Sequence, residues 1–277
     1  MDGRQGKRVG MYVHPSTELF DHGIDSVVCS LSGITSAAVC GLGSNMIGGL
    51  HMLTVWSGFY LTTSEHLNRG KIRFEAGIAN PTEGLVLSFV ILLTVAAFPG
   101  FMGTSVRYYV PQLPLTGVSF LDTLEIKHLL CIVETSTLLM SYFQSIWRYC
   151  DSANRRPGLS WGGAVLHLLP LAVAGGFIVI FFSGLVGGEE MAVFSQAHGR
   201  SILVLLCTFV NLSLLLLIIS EMCKTSFPAV YVTVTHLPLL IASAVFGPVD
   251  VRIMYIAIFI GLVRFAGLWA RFQHELM

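Results

Sequence analysis

Three aspartates near the start of the chain, Asp2, Asp21 and Asp25, are the residues whose type and spacing most directly suggest chemistry. Asp21 and Asp25 are four apart, the spacing that stacks two side chains on one face of a helix. Asp2 comes from a segment about twenty residues upstream. Carboxylate oxygens from two elements suit a hard divalent cation such as Mg²⁺ or Mn²⁺, and an ion so held binds phosphate. Gly3, Gly6 and Gly23 let the backbone approach closely. Arg4, Lys7 and Arg8 could hold phosphate oxygens, although basic residues at a membrane face also satisfy an ordinary charge bias. His22, beside Asp21, offers an imidazole that can take a proton near neutral pH without a large shift from about 6.5.

The elements that must carry these groups are membrane helices. Hydrophobic residues make up 54% of the chain and charged residues 12%, against about 25% charged in an ordinary soluble domain. The mean hydropathy is +0.74 and the net charge zero, so no basic surface points to a nucleic acid, and the partner implied is the lipid bilayer. Apolar runs long enough for a hydrocarbon core of about 30 Å predict about eight transmembrane helices. They fall near 24–45, 46–63, 83–105, 127–147, 162–186, 201–220, 227–247 and 251–270, with Gly43, Ser44 and Asn45 turning the first into the second. Ser16 or Thr17, just after Pro15, is the expected cap of the helix that carries Asp21 and Asp25. The fold class expected is an all-α, polytopic membrane helix bundle, one domain over 1–277.

Lys and Arg placement predicts the orientation. With the N-terminus in the cytoplasm, eleven fall on cytoplasmic segments and four, Arg107, Lys127, Arg200 and Arg252, on the other side. The acidic cluster is then expected at the cytoplasmic boundary. The 106–126 segment, with Pro111 and Pro114, reads as a connector on the far side, and Glu189-Glu190 as a solvated loop. Gly48-Gly49 and Gly175-Gly176 read as sites of close helix packing. The six cysteines show no C-x-x-C spacing and are expected to pack as small apolar groups. His128, His167 and His236 are isolated and read as structural or interfacial; Glu83, at the start of a span, is either an interfacial charge or a site residue, and for Glu134 and Arg264, deeper in apolar runs, an ion pair and a substrate contact are both open.

Several of these residues carry a resemblance. Asp2-Gly3-x-x-Gly6-Lys7, followed by Thr17-x-x-x-Asp21-x-x-x-Asp25, resembles the CDP-alcohol phosphotransferase signature D-x-x-D-G-x-x-A-R-x(8 or 9)-G-x-x-x-D-x-x-x-D. Asp2-Gly3-Arg4-Gln5 and the run from Glu18 to Ser26, E-L-F-D-H-G-I-D-S, are similar to runs of the ethanolamine and choline phosphotransferase branch, as is Asn80-Pro81-Thr82-Glu83-Gly84. The resemblance implies transfer of phosphoethanolamine or phosphocholine from CDP-ethanolamine or CDP-choline to diacylglycerol, releasing CMP. It implies Asp2, Asp21 and Asp25 as ligands of Mg²⁺ or Mn²⁺, and His22 or Asp25 as the base. Gly3, Lys7 and Glu83 become candidate substrate contacts. Residence in the endoplasmic reticulum or Golgi, and a homodimer, are further expectations of the same origin.

The chain also departs from that pattern. The signature's first Asp would precede Asp2 by three residues, where the sequence given has none, and Gly6, Lys7 and Thr17 replace Ala, Arg and Gly. A piece of a longer active enzyme and a degenerate relative are both consistent with this. Two readings from other classes stand beside the enzyme: a multispan transporter, which would need ionisable groups at the midplane of several helices, and a catalytically dead membrane scaffold.

Overall fold

Residues 15–69, 81–109, 123–150 and 160–276 are described by the computed structural model. The expected spans are helical: α1 (Pro15–Val39), α2 (Met46–Arg69), α3 (Pro81–Ala97), the short α4 (Val106–Tyr109), α5 (Ile126–Cys150), α6 (Trp161–Leu166), α7 (Leu169–Phe182), α8 (Gly188–Met222), α9 (Ala229–Phe246) and α10 (Arg252–Leu276). No strand forms among the described residues, and one isolated bridge joins Ser105 to Glu125. Stretches of α5, α8, α9 and α10 are each long and apolar enough to cross a membrane. α3 and α7 are shorter apolar helices, and α1 and α2 carry more polar residues. The molecule is an integral membrane protein and an all-α bundle.

Side-chain contacts give the direction of each pass. Ser30 of α1 meets Trp56 of α2, and six residues later Ser36 meets His51, so these two helices run antiparallel. α2 and α5 run parallel, because His51 pairs with Glu134 and, fourteen residues on in both helices, Glu65 pairs with Arg148. The α6–α7 pair returns against α2: Tyr60 Oη donates to the His167 carbonyl at 2.7 Å, and Gly49 lies against Ile178. Continuing this way, eight passes alternate in direction among the described residues, counting α6 with α7. The start of α1, the end of α2 and the end of α10 share one end of the bundle, called here the Asp21 end.

Small residues set how closely the helices approach. A Cβ on Gly23 would lie 2.1 Å from the Trp269 ring, so only glycine lets α10 seat its indole against α1. Gly261 meets Thr208, Gly199 the Ser44 carbonyl, Gly49 Ile178 and Gly175 Leu53 in the same manner, while Gly176 faces open space. Lipid is as apolar as a leucine side chain, so such contacts and interhelical hydrogen bonds hold a membrane bundle together. The largest core cluster gathers Trp56, Tyr60, Phe181, Phe209 and Ile202 between α2, α7 and α8.

Several boundaries differ from the sequence pattern. α1 already begins at Pro15, so Ser16 and Thr17 lie in its first turn rather than at its cap. The turn before α2 is as expected: Gly43 has φ +75°, and Asn45 Oδ1 accepts from the Ile47 and Gly48 amides. The expected span at 83–105 ends at Ala97, and a single 3₁₀ turn over Phe101–Gly103 follows Gly100, whose φ of +93° closes the helix. The 162–186 span is broken at His167–Leu168, since Pro170 has no N–H to return to the Leu166 carbonyl. α8 starts thirteen residues earlier than its apolar run, and the Glu189-Glu190 pair, read as a loop, forms its exposed first turn, where carboxylates complement the helix dipole. A bend at His198, with φ −122° and ψ 15°, divides this helical extension from the apolar run.

Gly23→Ala is expected to lower stability by about 1–3 kcal/mol through overpacking. The thermal midpoint in uncharged detergent should fall, and most of the loss should be recovered in the Gly23→Ala/Trp269→Ala pair if the indole is what the new methyl meets.

Candidate active site

α1 brings Asp21, His22 and Asp25 onto the last turns before the Asp21 end, and its burial pattern sets where they point. Gly23, Ser26 and Ser30 are buried against the other helices, whereas Asp21, Ile24, Asp25 and Val28 are exposed. The two carboxylates therefore share a face that looks away from the packed core, and the half-buried His22 sits at its edge. Neither carboxylate has a hydrogen-bond or ion-pair partner among the described residues. Two ionised carboxylates one helical turn apart repel each other, and a divalent cation between them would relieve that.

The donor set thus fits Mg²⁺ or Mn²⁺ in its chemistry, since it offers oxygen only, but two carboxylates do not complete a site. No group of three His, Cys, Asp or Glu suited to a metal occurs among the described residues. Asp2, Gly3 and Lys7, the remaining candidates from the first turns of sequence, lie outside the described residues. Glu83 falls in the first turn of α3, and its side chain too lies outside them. Among the described residues, the structure brings together Asp21, His22 and Asp25.

Behind the carboxylates α1 is held by a buried polar chain. Trp56 Nε1 donates to Ser30 Oγ at 3.0 Å, Ser30 Oγ donates to Asn211 Oδ1 at 3.1 Å, and Asn211 Nδ2 reaches Cys207 Sγ at 3.2 Å. Cys29 Sγ reaches the Val55 carbonyl at 3.5 Å, and Ser26 Oγ donates to the Gly23 carbonyl at 2.7 Å. α1 is thereby fixed to α2 and α8, five residues from Asp25. The serines of this chain sit on the helix face opposite the aspartates.

The same end carries polar groups that the sequence pattern did not single out. Glu65 Oε1 accepts from Arg148 at 2.7 Å and from Ser145 Oγ at 3.1 Å. Glu221 accepts from Lys224 Nζ at 2.8 Å and lies 3.6 Å from His66. Asn68 is fully buried, and its Oδ1 has no partner among the described residues. Only a charge within a generally apolar run marks these positions in the sequence, and their partners are too far along the chain to read.

Toward the opposite end, Ser36 Oγ and His51 Nε2 are 2.7 Å apart, and His51 Nδ1 lies 2.8 Å from Glu134 Oε2. Glu134, left open between ion pair and substrate contact, thus has a structural partner. Arg264 donates to the Thr235 carbonyl at 2.9 Å, and His128 Nδ1 accepts the Glu125 amide at 3.0 Å. The cysteines with described side chains are free thiols, as expected, although Cys223 is exposed.

Fold and site define an integral membrane protein that presents a two-carboxylate helix face at one end of a bundle. No family model matches the chain. Homologues do exist. Over 99 residues, 35% of this chain, it is 33% identical to "Uncharacterized CDP-alcohol phosphatidyltransferase class-I family protein 3" of Dictyostelium discoideum. It is 25% identical over 158 residues to cholinephosphotransferase 1 of Saccharomyces cerevisiae, 56% of this chain, and 26% identical over 176 residues, 61% of this chain, to choline/ethanolaminephosphotransferase 1 of the same yeast. These matches span 24%, 39% and 44% of the three proteins, less than half of each. The chain is thus related to CDP-alcohol phosphatidyltransferases and choline/ethanolaminephosphotransferases.

Glu134→Leu strands the buried His51 and is expected to cost about 1–3 kcal/mol. Glu134→Gln, which keeps an acceptor for the ring N–H, should lose less. Equal drops in thermal midpoint for the two variants would show that the contact contributes packing alone.

Proposed function

We propose that the chain is the membrane part, or a portion of it, of a CDP-alcohol phosphotransferase that moves phosphoethanolamine or phosphocholine onto diacylglycerol. The observation that carries this reading is the pair of exposed carboxylates on α1, without a partner among the described residues and with His22 beside them, in a chain related to proteins of those names. A boundary position suits two substrates of opposite character. A CDP-alcohol comes from water, and the hydroxyl of diacylglycerol lies at the level of the lipid head groups.

In this mechanism Asp2, Asp21 and Asp25 would hold Mg²⁺ or Mn²⁺. Bound there, such an ion would supply charge neutralisation for the pyrophosphate and the CMP leaving group. Lys7, as a point charge, and the backbone at Gly3 contact phosphate oxygens and orient the diphosphate. Glu83 starts α3 at the Asp21 end and contacts the substrate from that helix. His22 takes the proton of the diacylglycerol hydroxyl as its oxygen bonds to the phosphorus that carries the alcohol, and the bond from that phosphorus to CMP breaks. Asp25 is the competing choice for the base. Phosphoryl transfer gains mostly from alignment and charge stabilisation, which a rigid helix face provides. An active form of this type would reside in the endoplasmic reticulum or Golgi, and a homodimer is the assembly proposed.

Membranes containing the chain, alone and within any longer product of its transcript, should release CMP from CDP-ethanolamine or CDP-choline when diacylglycerol and Mg²⁺ or Mn²⁺ are present. Asp21→Ala and chelation by EDTA should each reduce the rate at least 100-fold. His22→Ala should leave binding of CDP-alcohol intact while lowering turnover. No release from either form would sink the enzyme reading.

A further inference from the structure

Three side chains from three helices converge toward the end of the bundle opposite Asp21. Ser36 Oγ of α1 lies 2.7 Å from His51 Nε2 of α2, and His51 Nδ1 lies 2.8 Å from Glu134 Oε2 of α5. With the ring neutral, the order of these contacts assigns the protons. A carboxylate only accepts, so the ring hydrogen is on Nδ1, Nε2 keeps its lone pair, and the Ser36 hydroxyl donates to it. Hydroxyl, imidazole and carboxylate in this order are the parts of an activated nucleophile, which is recognised by geometry and roles rather than by position in the sequence.

A chain of polar side chains also glues membrane helices together. Two features go beyond glue. An ionisable carboxylate at membrane depth is costly, and a glutamine would offer the ring N–H an acceptor without the charge. The three groups are also not sealed in: His51 is 5% exposed, but Ser36 is half-buried and the Glu134 side chain is 20% exposed. A base shielded from bulk water beside a reachable hydroxyl is what nucleophilic catalysis needs. The Gly33 carbonyl, 3.0 Å from Ser36 Oγ, is a second acceptor that keeps the hydroxyl in place within its own turn.

Depth in the bilayer selects the electrophile. Ser36 is three residues from the end of α1 and His51 five from the start of α2, roughly 5 and 8 Å along the axis. That is the level beneath the head groups, where the ester carbonyls of glycerolipids lie. Ile34 and Val39, exposed on either side of Ser36, give acyl chains an apolar approach. Asp21 is fifteen residues away on the same helix, roughly 22 Å, which is most of a hydrocarbon core of about 30 Å. The two groups therefore serve opposite leaflets.

We propose that Ser36 is a nucleophile toward the ester carbonyl of a glycerolipid in the leaflet opposite the aspartates, with His51 as its base and Glu134 as the positioning residue. Ser36 Oγ bonds to the carbonyl carbon as its proton passes to His51 Nε2. The bond from that carbon to the glycerol oxygen breaks, and His51 returns the proton to this oxygen. The acyl group rests on Ser36 until water, deprotonated by His51, bonds to the same carbon; Ser36 Oγ then leaves, recovers the proton, and a fatty acid is released. Ser36 and Ala37 lie inside α1, so their amides are spent on the helix and not on an oxyanion. Each oxyanion donor is worth roughly 10²–10³ in rate, so turnover is slow and the covalent adduct is the product to measure. Nothing in these steps involves a CDP-alcohol or the α1 carboxylates.

The test is labelling of the full chain in dodecyl maltoside by an alkyl fluorophosphonate, with the adduct mapped by peptide mass spectrometry and the thermal midpoint of each variant measured in the same preparation. One label per chain, on Ser36, is expected. It should vanish in Ser36→Ala, which removes only the hydroxyl, slow at least 100-fold in His51→Gln, and persist in Asp21→Ala. The wild-type rate should rise with pH through a single titration; Glu134→Gln should slow it at least tenfold and shift that titration, which a merely structural carboxylate would not do. Radiolabelled dioleoylphosphatidylcholine and diolein, supplied separately, identify the acyl donor by which of them yields oleate in a Ser36-dependent manner; release from either supports the site. No label on Ser36 in the folded wild-type chain, labelling unchanged by His51→Gln, or no oleate from either lipid would overturn it.

Discussion

The Ser30 hydroxyl, shared between the Trp56 indole and the Asn211 amide, is the contact on which the remaining geometry depends. In a bilayer no water competes for these groups, so a polar side chain on one helix must find its partner on another or remain unsatisfied. Ser30 finds two, on α2 and α8, and its depth along both helices is then no longer free. At about 1.5 Å per residue, Asp25 and Asp21 stand roughly 7 and 13 Å further along α1. The carboxylates owe their height relative to the bundle to a serine that takes no part in chemistry. Gly23 settles the rotation, since the Trp269 ring occupies the side that any larger residue would fill.

This arrangement separates the two tasks of α1 by angle. Its inner face is made of glycine, serine and alanine, which permit close approach and supply hydrogen bonds. Its outer face carries the aspartates among exposed Ile24, Val28 and Leu31. A helix that must be gripped firmly and still present charge does so by giving the grip to small residues. Similar economy holds at α2, where His51 and Glu65 serve α5 while Trp56 and Tyr60 serve α1 and the α6–α7 break.

Much of this was legible in the sequence. The apolar runs anticipated every long helix, the four-residue spacing of Asp21 and Asp25 put them on one face, and Gly43 to Asn45 marked the first turn. The charged start of α8 escaped because Glu189 and Glu190 lower local hydropathy while favouring a helix N-terminus, two signals of opposite sign for a membrane segment. His51 and Glu134 lie 83 residues apart, and nothing along the chain links them until α2 and α5 are docked. The unpartnered nitrogen of His167 was equally invisible, because a lone histidine in an apolar run reads the same whether its ring is satisfied or not. Of the candidate site, the α1 residues were readable from spacing, and the polar groups of α2, α5 and α8 at the same end were not.

The two pairings between α2 and α5 are opposite in sense. α2 supplies the imidazole at one level and the carboxylate fourteen residues on, and α5 supplies the carboxylate first and the guanidinium second. Slide one helix by a turn and both contacts are lost together; reverse its direction and carboxylate meets carboxylate. The four positions therefore act as a key with two teeth. Because His51 also meets Ser36 and Glu65 also accepts from Ser145, exchanging the two members of a tooth would break a further contact, so each tooth is directional as well as paired.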